Sequence, residues 1–110
     1  MRSVVRYTGH MIKTFRHKGL ERFYREGSKA GIQPAHADKL TLQLFTLNRA
    51  KAPEDMGVVS GWKLHPLTSK KKNDPLAGHW AVWVSGNWRL TFTFEDGDAI
   101  LVNYLDYHRD

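Results

Sequence analysis

The sequence predicts an α+β domain, with two N-terminal helices packed on one face of a mostly antiparallel sheet. Three observations carry this. Residues 87–108, NWRLTFTFEDGDAILVNYLDYH, read as two strands around Asp96-Gly97, a dipeptide suited to the positive φ of a tight hairpin turn. Apolar residues recur at helical spacing in two earlier stretches, near residues 18–26 and 34–51. Further short strands follow the helices rather than alternate with them, giving the order β-α-α-β-β-β.

The hairpin fixes a face for each of its residues. Trp88, Leu90, Phe92 and Phe94 alternate with Arg89, Thr91, Thr93 and Glu95. Counting outward from a two-residue turn pairs Glu95 with Asp98, Thr93 with Ile100, Thr91 with Val102, Arg89 with Tyr104 and Asn87 with Asp106. Cross-strand partners share a face. Ala99, Leu101 and Leu105 therefore join the core face, and Arg89, Tyr104 and Asp106 are expected together on the other.

Taken in order, residues 11–15 (Met11-Ile12-Lys13-Thr14-Phe15) read as a first strand. Met11 is a candidate start, which makes residues 1–10 an N-terminal extension; residues 1–110 are read as one domain. Leu20, Phe23 and Tyr24 mark the first helix, with Gly27 as its C-cap. Pro34 opens the second, with Asp38 near its positive end and Arg49 and Lys51 near its negative end. Ala37, Leu40, Leu44 and Leu47 form its apolar stripe. Pro53 ends that helix, and residues 50–61 are expected as loop. Residues 62–67 read as a short strand ended by Pro66, and 68–78, TSKKKNDPLAG, as a lysine-bearing loop. Residues 79–84 read as a strand joined to Trp88 through Gly86-Asn87. If Ser85 faces Trp88, then Trp80, Val82 and Val84 fall on the Arg89 face.

Composition narrows the partners. The 110 residues carry 17 Lys and Arg against 11 Asp and Glu, a formal charge of +6. That balance favours a polyanion, nucleic acid before membrane. No cysteine is present, which excludes disulfides and thiolate metal sites. The six histidines show no metal-ligand spacing, so no metal and no cofactor is expected. No apolar run is long enough to span a bilayer, and the N-terminus lacks the apolar core of a signal peptide, so the expected location is the cytoplasm.

The remaining chemistry belongs to His, Lys, Arg, Tyr and Asp. That set suits cleavage of an RNA backbone. A base takes the 2′-hydroxyl proton, an acid protonates the leaving 5′-oxygen, and cations stabilise the charge on the phosphoryl oxygens. His65 and His108 suit the proton transfers, and Arg89 with the lysine loop supplies cations.

The residues also carry a resemblance. Met11-Ile12-Lys13 with Phe15, His17, Lys18, Gly19 and Leu20, then Lys63-Leu64-His65-Pro66-Leu67, Gly78 with Trp80, Asn87-Trp88-Arg89, Asp96-Gly97-Asp98-Ala99, Asn103-Tyr104 and Asp106-Tyr107-His108 follow in order. Over residues 11–108 the chain resembles the HigB toxins of the RelE superfamily. The resemblance implies a RelE-like fold and ribosome-dependent, metal-independent cleavage of mRNA in the A site of the small subunit, through the 2′-hydroxyl of the cut nucleotide. It places catalysis on His65, Asp106, Tyr107 and His108, with Arg89 holding phosphate. Lys63, Lys70, Lys71, Lys72, Asn87 and Tyr104 are candidate RNA contacts. It implies a HigA-like helix-turn-helix antitoxin as partner, with operator DNA bound only through the complex and no membrane partner. Relatives often carry a lysine where Thr68 stands here, and some a basic residue where Ser85 stands. Lys70, Lys71 and Lys72 are candidates to replace the first. Two other classes fit the composition: a non-catalytic basic RNA-binding module, and an antitoxin-bound co-repressor.

Overall fold

The computed structural model describes residues 12–67 and 78–106; Lys70, Lys71, Lys72, Tyr107 and His108 lie outside them. Helix α1 spans Lys18–Glu26. Its N-cap is His17, whose Nδ1 accepts the Leu20 N–H at 2.9 Å, satisfying one of the free donors of the first turn. Gly27 closes it in the left-handed conformation, φ 79°, and donates its N–H to the Phe23 carbonyl. A 3-10 turn at Pro34–His36 leads into α2, Ala37–Arg49, which buries Ala37, Leu40, Gln43, Leu44 and Leu47. The connection between the helices depends on two glycines touching through their backbones. A Cβ on Gly19 would lie 2.7 Å from the Gly31 carbonyl oxygen, and one on Gly31 2.5 Å from the Gly19 Cα.

The sheet has four strands in the order β1-β2-β3-β4, all antiparallel neighbours: His65–Pro66, Trp80–Ser85, Trp88–Glu95 and Asp98–Asp106. Residues 12–15 are not a full strand. They touch β4 in parallel through the bridges Ile12 to Ala99 and Phe15 to Val102. The strand expected over residues 62–67 is reduced to two residues, because Trp62 is buried in a 3-10 turn, Ser60–Trp62, and Lys63 turns into the left-handed region at φ 53°. The expected loop before it contains a further 3-10 turn, Pro53–Val58, which buries Met56.

Two irregularities correct the expected faces. Across β3 and β4 the pairs Glu95–Asp98, Phe94–Ala99 and Thr93–Ile100 follow the count, but below them Thr91 lies opposite Asn103, Leu90 opposite Tyr104, Arg89 opposite Leu105 and Trp88 opposite Asp106. One extra residue in β4 makes the shift. Leu101 adopts φ 55° there, and residue 14 holds the bulge, Thr14 Oγ1 accepting the Leu101 N–H at 2.8 Å and the Thr14 carbonyl accepting the Val102 N–H at 3.1 Å. A one-residue slip exchanges faces for everything beyond it. Tyr104 and Asp106 thus share the parity of Leu90 and Trp88, and Leu105 takes the Arg89 face. A second bulge between Trp83 and Ser85 places Trp80 opposite Phe92 and Val82 opposite Leu90, on the core face rather than the Arg89 face. The core joins Val82, Leu90, Phe92, Val102 and Tyr104 of the sheet to Leu40, Leu44 and Leu47 of α2. No helix among the described residues is long and apolar enough to cross a membrane.

Candidate active site

His65 lies opposite Ala81, and Ala81 opposite Thr91. Cross-strand partners share a face, and Arg89 stands two residues before Thr91 on β3, so His65 and Arg89 lie on one face, away from the helices. At roughly 4.8 Å between strands and 3.3 Å per residue, their backbones are about 12 Å apart, within reach of one nucleotide. The His65 ring is exposed, and its Nδ1 contacts the Lys63 carbonyl at 2.9 Å. A carbonyl only accepts, so Nδ1 carries a proton and donates it. In the neutral ring that leaves the Nε2 lone pair free toward solvent. The left-handed turn at Lys63 brings this carbonyl under the ring.

Arg89 is half-buried, and its Nη1 donates to the carbonyls of Gly86 at 3.0 Å and Trp88 at 3.1 Å. The β2–β3 turn thereby fixes the guanidinium while its Nε and Nη2 have no partner among the described residues. Asn87 is exposed in the same turn. Asp106, the last residue of β4, lies opposite Trp88, beside Arg89 rather than directly across from it. Asp106 is the last described residue of the chain, and Tyr107 and His108 lie outside the described residues.

Two residues the sequence reading missed, Lys39 and Trp83, join Lys63 here. The Trp83 ring is approached by two ammonium groups, Lys39 Nζ at 4.1 Å from its centroid and Lys63 Nζ at 5.0 Å. The indole N–H donates to the Gly86 carbonyl at 3.0 Å, the same oxygen that takes the Arg89 proton. Partial burial, and then the neighbouring Lys63 charge, hold the Lys39 pKa below its usual value. Lys39 left little trace in the sequence: it stands in α2 between Asp38 and Leu40, where it reads as an ordinary solvated position. No group of acidic or histidine side chains among the described residues is arranged to hold a metal ion.

Residues 13–108 match the HigB-like toxin family, described as RelE-like toxins of type II toxin–antitoxin systems. This chain belongs to that family. The Endoribonuclease HigB of Proteus vulgaris is 36% identical to it over 100 residues, which cover 89% of this chain and 100% of that protein. Among solved structures, the crystal structure of YafQ from E. coli strain BL21(DE3) aligns over 86% of this chain and 88% of that one, at 14% identity and a TM-score of 0.46.

In this HigB-like toxin Tyr104 does not lie on the Arg89 face. It is 2% exposed, and its hydroxyl accepts the Gln33 N–H at 3.2 Å and meets His36 Nδ1 at 2.7 Å. Trp88 stacks on it, and His17 and His36 meet it edge-on. Burial raises the Tyr104 pKa and lowers that of both histidines, with the Lys39 charge adding to the shift at His36. The toxin thus keeps two neutral histidines at the helix–sheet junction, while His65 faces solvent on the other side. His79, on the His65 face by parity, is 6% exposed, and neither its ring nitrogens nor the buried Thr91 hydroxyl has a partner among the described residues.

Proposed function

We propose that this toxin is a metal-independent endoribonuclease that cuts mRNA on the ribosome, in the A site, and so arrests translation in the cytoplasm. The single observation that carries the reading is the placing of His65 and Arg89 on one sheet face of a chain that matches HigB-like toxins over residues 13–108. The 2′-oxygen of the cut nucleotide attacks phosphorus, the bond from phosphorus to the 5′-oxygen breaks, and a cyclic phosphate is left. His65 Nε2, with Nδ1 committed to the Lys63 carbonyl, takes the 2′-hydroxyl proton as base. His108 gives a proton to the 5′-oxygen, and Asp106 orients it. Arg89 holds the phosphoryl oxygens through donors left outside its turn contacts. Tyr107 and Asn87 contact the nucleotide. A domain of this size encloses little RNA alone, and the ribosome supplies the positioning.

The partner is a HigA-like antitoxin with a helix-turn-helix domain, and operator DNA is bound only through the complex. Primer extension on mRNA from cells induced for the toxin tests the reading; cuts within translated codons are expected. Equal cleavage of naked RNA would remove the ribosome from the proposal. Growth arrest that survives His65→Ala in a folded protein would remove the catalytic role of His65.

A further inference from the structure

Lys39 and Lys63 reach the Trp83 ring from different elements, α2 and the turn before β1. Neither has a carboxylate partner among the described residues; the ion pairs there are Lys13–Asp98 and Arg25–Glu21. Two ammonium groups held within 5.0 Å of one ring centre repel each other. The ring face offsets part of this. An anion with several acceptor oxygens would remove the rest. Burial first, and then the Lys63 charge, lower the Lys39 pKa. Trp83 also ties this pair to Arg89, because both donate to the Gly86 carbonyl. Three cations from three parts of the chain therefore converge on the β2–β3 turn.

We propose that Lys39 and Lys63 clamp one backbone phosphate of the RNA strand, next to the phosphate held by Arg89, with Trp83 as the platform that fixes the pair. This deepens the RNA-cutting reading and rests on it. It takes one of its two lysines from a helix remote in sequence from the strand motifs. The clamp reads charge and not base identity, so its contribution is the same for any RNA sequence.

The test is binding of a short single-stranded oligouridylate to the full chain, measured by fluorescence anisotropy over a range of salt. Neutralising one phosphate of a single strand contributes about −0.7 to the slope of log affinity against log salt. Lys39→Gln and Lys63→Gln should each weaken binding with little change of slope, because the remaining lysine still neutralises the phosphate. The double variant should flatten the slope by about 0.7. Flattening by about 1.4 would mean two separate phosphates and would overturn the shared clamp. An unchanged slope would overturn it outright, and if antitoxin binding weakened instead, the pair would belong to an antitoxin carboxylate. In parallel, inorganic phosphate should shift the Nζ resonances of Lys39 and Lys63 together while leaving that of Lys13 in place; no joint shift would overturn the clamp. His65→Ala separates the two readings. If wild type fails to cut mRNA yet the double variant flattens the slope, the nuclease reading fails and the clamp stands. If His65→Ala abolishes cutting and the slope ignores both lysines, the clamp alone fails.

Discussion

Trp88 stacks on Tyr104 with ring centroids 4.5 Å apart and 26° between the planes. The pair closes the sheet end under the helices, with His36 edge-on to both rings. Trp88→Ala should cost about 3 kcal/mol, near the low end for a large aromatic because Trp88 is only half-buried. Tyr104→Phe keeps the stack and loses the hydroxyl contacts to Gln33 and His36, and should cost about 1–2 kcal/mol. Urea unfolding of both variants checks the order.

Gly19 lies inside α1, where Gly→Ala normally stabilises by about 1 kcal/mol. Here the sign should reverse. The added methyl would meet the Gly31 backbone at 2.7 Å, and a backbone cannot rotate away as a side chain can. Gly19→Ala should lower the unfolding midpoint, whereas Gly61→Ala, with open space around its Cβ, should not.

The His17 cap makes α1 sensitive to acid. Nδ1 must keep its lone pair to accept the Leu20 N–H, and burial lowers the ring's folded pKa below 6.5. The unfolded chain therefore takes up a proton before the folded one does. This stabilisation is complete above about pH 6.5 and declines as pH falls from there toward the lowered folded value. Burial and the Lys39 charge lower the His36 pKa as well, so His36 adds in the same direction. His17→Asn, which caps without titrating there, should flatten the pH dependence of unfolding between about pH 5 and 7.

The two ring nitrogens of His79 are buried without partners among the described residues. An unsatisfied buried polar group costs about 1–3 kcal/mol. His79→Phe should therefore raise stability by about 1 kcal/mol, read from the urea midpoint at unchanged slope.

On the His65 face, Arg89→Lys should abolish growth arrest with folding intact, because Lys offers no paired N–H fork and cannot keep both turn carbonyls. His65→Ala should lower single-turnover cutting of ribosome-bound mRNA by roughly 10² to 10⁴-fold. Circular dichroism on the same proteins checks that the fold is retained.

The sequence by itself determined the elements that obey a period. The stripe Ala37, Leu40, Leu44 and Leu47, the Gly27 cap and the Asp96-Gly97 turn are local in cause, since each follows from side-chain spacing or from one residue's φ. His65 and Arg89 could be named as candidates because their motifs are linear. Which residues face each other beyond the Thr93–Ile100 pair was not legible. The bulge at Leu101 has no glycine to announce it. It is held by Thr14, 87 positions away, so only the assembled sheet decides that Tyr104 turns into the core. The same holds for Lys39. Its place beside Lys63 exists only because α2 lies against the edge of β2, where Gln43 Nε2 donates to the Trp83 carbonyl. Period and turn chemistry act over a few residues, whereas register and convergence depend on contacts between segments far apart in the chain.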